Sequence, residues 1–109
     1  MSVWKVLPEH TIKRDVSTVI IEGLKVHTDI IYSPMSIRRL EYKGTWYFCV
    51  PDIEQFIEKS LPIEEHVIDY PEAGGAYTDR DTIMGALYDV QADNYQMVVL
   101  GHYLNGETL

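Results

Sequence analysis

Residues 36–50 have the sequence SIRRLEYKGTWYFCV, and this stretch decides the fold. Residues 37–42 and 45–50 are rich in β-branched and aromatic side chains, which favour β-strands. Lys43 and Gly44 connect them, and glycine adopts the left-handed backbone conformation that a tight hairpin needs. The stretch predicts a β-hairpin, closed by this short turn or, because lysine is not the best first turn residue, by a longer loop with a bulge. The second arm is apolar on both faces, which indicates a central strand.

Three further β-prone segments precede this hairpin. Residues 3–7 and 16–21 are rich in β-branched side chains, as strands are. Residues 24–32 alternate between a mainly apolar face and a polar one, which is the pattern of a half-buried strand. Glu22 and Gly23 offer a turn between the last two segments. The first third of the chain therefore predicts β-structure.

Two amphipathic helices are predicted downstream. Residues 51–61 begin with a proline, which suits a first helical turn, and carry apolar side chains at helical spacing. Residues 78–90 repeat this spacing, and Thr78 with Asp81 resembles a capping box at their start. Gly85 in the middle of this second helix costs up to about 1 kcal/mol relative to alanine.

The remaining segments complete the expected fold. Residues 66–70 predict a short strand, residues 71–76 a loop with adjacent glycines, and residues 95–104 a last strand. We therefore expect a single α+β domain over residues 1–109. It would have a mostly antiparallel sheet of about five to six strands, with two amphipathic helices packed on one face.

Charge is distributed unevenly along the 109 residues. The net charge is −8, but residues 1–50 hold seven Lys/Arg and five Asp/Glu, whereas residues 51–109 hold two and twelve. The first part is therefore net +2 and the second net −10. An acidic surface formed by the second part would repel nucleic acid and attract a basic protein. An ordinary solvated acidic surface would have the same composition.

No spacing typical of a catalytic or metal site is present. The four histidines are scattered over separate predicted elements, and the glycine loop at residues 73–76 lacks the Lys-Ser/Thr ending of a phosphate-binding loop. Cys49, the single cysteine, lies in an apolar run that should raise its pKa rather than activate it. We expect no enzymatic activity, no metal and no cofactor. A single cysteine excludes an intramolecular disulfide, which favours a reducing compartment such as the cytoplasm.

Residues 36–53 resemble the start of the BRO-N domain of phage and viral antirepressors. The shared features are an Ile-Arg strand, a turn glycine, an aromatic pair and a Val-x-Asp-Ile motif that begins a helix. The resemblance implies a viral or prophage origin, hence a host-cell cytoplasm, and a regulatory role. Arg38, Arg39 and Lys43 lie in this stretch, and their chemistry suits contact with a phosphate backbone. The solvated side of a strand is the alternative interpretation of these three cations.

Three functions are compatible with these observations. The leading one is a phage-type binding protein that inhibits or regulates a host or phage protein, for example in anti-defence, and a homodimer is compatible with it. This protein would contact its partner through tyrosines and an acidic face. The partner's contacting surface would be basic, for example a surface that binds nucleic acid. A BRO-N-like DNA-binding regulator is the alternative, and a small-molecule-binding module comes third. No membrane partner is expected, since no segment has the length of a membrane span. The predicted acidic face consists of Glu54, Glu58, Glu64, Glu65, Asp69 and Glu72.

Overall fold

The computed structural model describes residues 12–32 and 34–106 of the chain. The fold is α+β, as predicted, and the strand expected at residues 3–7 lies outside the described residues. A 3₁₀ turn, Pro71–Ala73, separates the last two strands. The described residues form six β-strands and three α-helices: β1 (Lys13–Ile21), β2 (Leu24–Tyr32), β3 (Met35–Tyr42), β4 (Thr45–Cys49), α1 (Val50–Ile57), β5 (Val67–Tyr70), β6 (Gly75–Asp79), α2 (Arg80–Asp89) and α3 (Asn94–Leu104).

The six strands form one sheet in the order β1-β2-β3-β4-β6-β5. Every neighbouring pair is antiparallel. The first four strands form a meander, and β6 lies between β4 and β5. β1 and β5 are therefore the edge strands of the sheet.

Two tight turns set the register of the meander. Glu22 and Gly23 join β1 to β2 with φ values of 50° and 86°. Lys43 and Gly44 join β3 to β4 with φ values of 52° and 80°. Positive φ at both central residues defines a type I′ turn, whose twist matches that of the strands it connects. The hairpin at residues 36–50 is confirmed, with the short turn rather than the bulged loop.

Helix α1 follows β4 directly and ends earlier than predicted. Its last residue is Ile57, because Glu58 takes a left-handed conformation with φ of 57°. The backbone N–H of Leu61 instead donates to a Glu54 carboxylate oxygen at 2.7 Å. Leu61 is thereby buried although it lies outside the helix. Its apolar character correctly predicted burial but wrongly predicted a helix to residue 61.

Strand β6 was not predicted, and its presence moves the start of α2. Residues 75–76 were assigned to a loop and Thr78 to a helix cap, but all of them lie in the strand. The helix cap is Asp79, whose Oδ1 accepts a hydrogen bond from the Thr82 N–H at 2.8 Å. The strand is five residues long and begins with two small residues, so its β-propensity is weak.

The strand predicted for residues 95–104 is wrong, because this segment is helix α3. Its β-branched and aromatic side chains favour a strand, yet α3 packs into the main core on several sides and shows little amphipathic pattern. The helix start does have a local signal. Asp93 is its cap and accepts hydrogen bonds from the N–H groups of Tyr95 and Gln96, at 2.8 and 3.3 Å.

Each face of the sheet carries a core. On one face, Ile37 and Phe48 belong to a cluster with buried side chains from all three helices, such as Ile53, Leu87 and Leu100. The prediction that the helices pack on one face is confirmed, with three helices rather than two. The opposite face carries a smaller core formed by Val26, Leu40, Cys49, Tyr70, Ala73 and Tyr77.

Candidate functional site: an acidic groove beside helix α2

A groove of about 410 Å³ lies between helix α2 and the segment that precedes β5. Four carboxylates line it, two from each wall, and we call it the acidic groove. Its lining residues are Pro62, Ile63, Glu64, Glu65, His66, Asp81, Thr82, Gly85, Ala86 and Asp89.

Helix α2 supplies the first wall and the floor of the acidic groove. Asp81, Gly85 and Asp89 are four residues apart, so they lie on one face of the helix. Apart from the adjacent residues and the backbone of the helix itself, no heavy atom of the described residues comes within 4 Å of the place a Cβ on Gly85 would occupy. The floor between the two carboxylates is therefore bare helix backbone, open to close approach by a ligand.

The second wall is the segment of residues 62–66, held at both ends. At its start, the Ile63 N–H donates to the Leu61 carbonyl at 2.9 Å, and Leu61 is anchored in the main core. At its end, the Thr78 hydroxyl donates to the His66 carbonyl at 2.7 Å. Glu64 and Glu65 lie between these anchors with exposed side chains. The wall is thus fixed by core contacts while its carboxylates stay in solvent.

The acidic groove has a negative field. Among its described lining residues there is no lysine or arginine. Arg80 reaches one carboxylate from outside, with 3.1 Å between its Nη2 and Asp81 Oδ1, but both side chains are largely exposed. An exposed pair of this kind is worth at most about 1 kcal/mol and exchanges readily with another cation. The groove therefore suits a basic group and disfavours a phosphate.

The structure separates the six acidic residues of the predicted face. Glu64 and Glu65 line the acidic groove, and the other four do not. Glu54 is half-buried and bonds the Leu61 N–H, whereas Glu58 borders a different depression beside Phe56 and Tyr95. Asp69 in β5 and Glu72 in the 3₁₀ turn are exposed elsewhere.

Sequence reasoning did not assign Asp81 and Asp89 to the acidic face. The spacing Asp81-Gly85-Asp89 was visible in a predicted helix and could have indicated a shared face. That this face adjoins Glu64 and Glu65 depends on how β6 enters the sheet, which the sequence did not show.

The predicted basic patch does not form one surface. Arg38 and Arg39 are consecutive in β3, so their side chains lie on opposite faces of the sheet. Arg38 donates through Nε and Nη2 to the two oxygens of Asp52, each at 2.8 Å. This charged hydrogen bond raises the pKa of Arg38. Lys43 is exposed in the hairpin turn, with its Nζ 5.2 Å from the Tyr42 ring centre.

Arg39 belongs to a buried network centred on Asp29. Asp29 is 0% exposed and accepts hydrogen bonds from Arg39 Nε at 2.7 Å and from the Tyr103 hydroxyl at 2.5 Å. It also accepts one from the Asp15 N–H at 2.8 Å, and Arg39 Nη2 donates to the Asp15 side chain at 2.8 Å. The network ties three strands to helix α3, and Arg39 is only 9% exposed. Its geometry is that of a structural anchor.

A larger cleft, about 600 Å³, lies between the β3–β4 turn and the ends of α2 and α3. Trp46 lines it, 4.6 Å from the Arg39 guanidinium carbon. Its arginines bond within the protein: Arg14 to the Tyr103 carbonyl at 2.8 Å, and Arg80 to the Asn105 side chain at 3.0 Å. These hydrogen bonds tie both side chains to the C-terminal end of α3.

The glycine loop packs against Arg38, and Cys49 is buried. A Cβ on Gly74 would lie 2.5 Å from Arg38 Nη2, so the loop packs against the protein's own guanidinium. Cys49 is buried, and desolvation raises its pKa to about 11. The thiol is therefore protonated at neutral pH and a poor nucleophile.

No group of three or more metal-ligating side chains occurs among the described residues. None of the described helices is long and apolar enough to cross a membrane. No protein-family model matches the chain, and no curated protein or solved structure matches it. The resemblance of residues 36–53 to a BRO-N domain therefore stays a prediction.

Proposed function

We propose that this protein binds a basic segment of a partner protein in the acidic groove, and regulates or inhibits the partner by covering that segment. The observation that supports this proposal most directly is the convergence of Glu64, Glu65, Asp81 and Asp89 on the walls of one groove. The function requires binding alone and no chemical step.

The dimensions of the groove suit a side chain rather than a folded surface. A volume of about 410 Å³ is at the lower end of the range for ligand sites, roughly 300–1,000 Å³. An arginine side chain fits this space, and its planar guanidinium can bond a carboxylate through two parallel N–H groups. The bare backbone at Gly85 leaves room for the flat face of such a group.

Long-range electrostatics supports the same class of partner. Residues 51–109 carry a net charge of −10, and both walls of the groove belong to this part of the chain. Such a field accelerates encounter with basic surfaces and opposes nucleic acid. A partner whose basic segment contacts nucleic acid would therefore lose that contact when this protein covers it.

The test compares two variants with the same change in charge. Glu65→Lys with Asp89→Lys reverses one carboxylate on each wall, and Asp69→Lys with Glu72→Lys is the matched control outside the groove. A fluorescently labelled oligoarginine peptide is the probe, titrated at two salt concentrations. We expect the groove variant to lose about tenfold or more in affinity, since two favourable pairs become repulsive.

The control separates groove binding from general attraction. If affinity depends only on net charge, both variants lose it equally, and the proposal is wrong. The same pair of variants serves to validate any protein captured from a bacterial lysate, because a partner of the groove is retained by the control and released by the groove variant.

A further inference from the structure

Strand β1 is an exposed edge with an unusual amount of apolar surface. Val16, Val19 and Ile20 are 47%, 49% and 70% exposed. Residues 16–21 contain no charged side chain and no proline. Among the described residues, β2 alone pairs with β1. Within the part of the chain that the structure describes, the strand therefore presents apolar side chains and one unpaired backbone edge together.

The hairpin geometry shows which backbone groups face outwards. Ile21 and Leu24 flank the two-residue turn, so they form a hydrogen-bonded pair. Ile21, Val19 and Ser17 then direct their N–H and C=O groups towards β2. Thr18 and Ile20 direct theirs away from the sheet, where a further strand can pair with them.

Features that protect sheet edges are missing from this part of β1. The other edge, β5, is four residues long and carries the exposed Asp69 in its middle. β1 is irregular only at its start, between Lys13 and Ser17, where Asp15 has a positive φ. Short strands, inserted charges and bulges are the usual defences against strand pairing. Residues 17–21 have regular pairing and none of these defences.

We propose that β1 pairs antiparallel with β1 of a second copy of this chain, about a two-fold axis at Thr18. Outward-facing residues must pair with outward-facing residues, and an axis at Thr18, midway between the exposed Val16 and Ile20, satisfies this condition. In this register Ser17 faces Val19 of the second copy, and the exposed Ile20 lies near the exposed Val16 of the second copy, where the irregular start of β1 begins. The aliphatic side chains of both copies then cover one another on either side of the axis.

Charge complementarity supports a second copy as the occupant. β1 begins with the exposed Lys13, and the exposed Glu22 follows its last residue. Antiparallel pairing places Lys13 of each strand near Glu22 of the other copy. The contact is isologous, as in most homodimers, and the sheets of both copies continue into one another.

This inference is independent of the acidic groove, and salt distinguishes the two. Each copy has a net charge of −8, so the copies repel one another at long range. Added salt screens this repulsion and should strengthen the dimer, whereas it should weaken binding of a basic peptide to the groove. A single strand pair is a small interface, and we expect a weak, concentration-dependent dimer.

The first experiment measures mass by sedimentation equilibrium from about 1 µM to about 1 mM protein. We expect Ile20→Lys to raise the dimer dissociation constant about tenfold or more, because it places a charge inside the pairing. Tyr88→Lys is the matched control, since Tyr88 is also 70% exposed but lies on α2. The proposal is overturned if the wild-type chain stays monomeric over the whole concentration range, or if Ile20→Lys leaves the dimer dissociation constant unchanged. The edge of β1 would then be available to a strand of another protein.

A second experiment tests the register. Thr18→Cys places two cysteines opposite one another with Cα atoms about 5.5 Å apart, a separation that a disulfide spans. Lys25→Cys, on the adjacent strand, is the control, and the native Cys49 is buried. We expect mild oxidation to cross-link the Thr18→Cys variant much faster than the control. Equal rates overturn the axis at Thr18.

Discussion

The hydroxyl of Tyr70 donates a hydrogen bond to the backbone carbonyl of Ile21. Tyr70 lies in β5 and Ile21 in β1, which are the opposite edges of the sheet. The sheet must therefore curl around its smaller core until its edges approach each other. The Tyr70 side chain closes the smaller core at the turn end of β1.

This closure predicts a specific loss of stability in Tyr70→Phe. Only the hydroxyl is removed, and a hydrogen bond of this kind contributes about 1 kcal/mol to the free energy of unfolding. Tyr88→Phe, at an exposed position, should change stability by less than about 0.5 kcal/mol. Urea unfolding of the two variants measures the difference, and equal effects would show that the Tyr70 bond contributes nothing.

The buried Asp29 network predicts a larger loss. Asp29→Asn leaves the Arg39 guanidinium without its main counter-charge in a buried site, which should destabilise the fold by about 3 kcal/mol or more. Asp69→Asn makes the same chemical change at an exposed strand position and should cost less than about 0.5 kcal/mol. A tolerated Asp29→Asn in chemical denaturation would contradict the assignment of Arg39 as a structural anchor.

Gly85→Ala should change stability and binding in opposite directions. The added methyl meets open space, so α2 should gain up to about 1 kcal/mol of helix propensity. The same methyl covers the floor of the acidic groove and should weaken binding of the oligoarginine peptide several-fold. Gly101→Ala in α3 also meets open space and lies outside the groove, so it should stabilise the protein without affecting the peptide. Thermal unfolding and peptide titration of both variants test the pair of expectations.

Duplex DNA of random sequence should not bind, even at low salt. Arg38 and Arg39 are held by Asp52 and Asp29 on opposite sheet faces, which leaves Lys43 as the one exposed cation of the predicted patch that is not paired with a carboxylate. Fluorescence anisotropy across a salt series is the measurement. Tight binding that falls steeply with salt would favour the BRO-N-like regulator over the proposed protein partner.

Cys49 predicts a fall in stability at alkaline pH. Burial raises its pKa from 9.0 to about 11, so the folded state retains a proton that the unfolded state loses. The stability present below pH 9 should decline by up to about 1.4 kcal/mol per pH unit as pH rises towards 11. Cys49→Ala removes this contribution, so its stability should depend less steeply on pH between about 8.5 and 10. Equal slopes for the two proteins would show that the thiol does not titrate in this way.

Local signals predicted the parts of the fold that local geometry determines. Gly23 and Gly44 carry the positive φ values of their turns, and both hairpins followed from them. Helix α3 was missed because the residues from Met97 to Leu100 favour a strand by propensity, while burial on several sides removed the amphipathic pattern. The cap at Asp93 was the remaining clue.

The candidate site was less predictable because its parts are distant in sequence. The acidic character of the second half indicated a partner class, and Glu64 and Glu65 were identified from it. The roles of Arg38 and Arg39 depend on Asp52 and Asp29, which are 14 and 10 residues away along the chain. These ion pairs form only when the strands are paired in their native register and helix α1 is packed on the sheet.

Two helices begin at the residue after a strand ends: Val50 follows Cys49, and Arg80 follows Asp79. Each of these helices is thus joined to its strand without a loop, so the strand fixes the rotation of the helix about its own axis. A single inserted residue at either junction would rotate the helix by about 100° and turn Ile53 or Ile83 away from the core. Insertions at these two junctions should be far more damaging than insertions in the connection between α2 and α3, residues 90–93, which joins no helix to a strand.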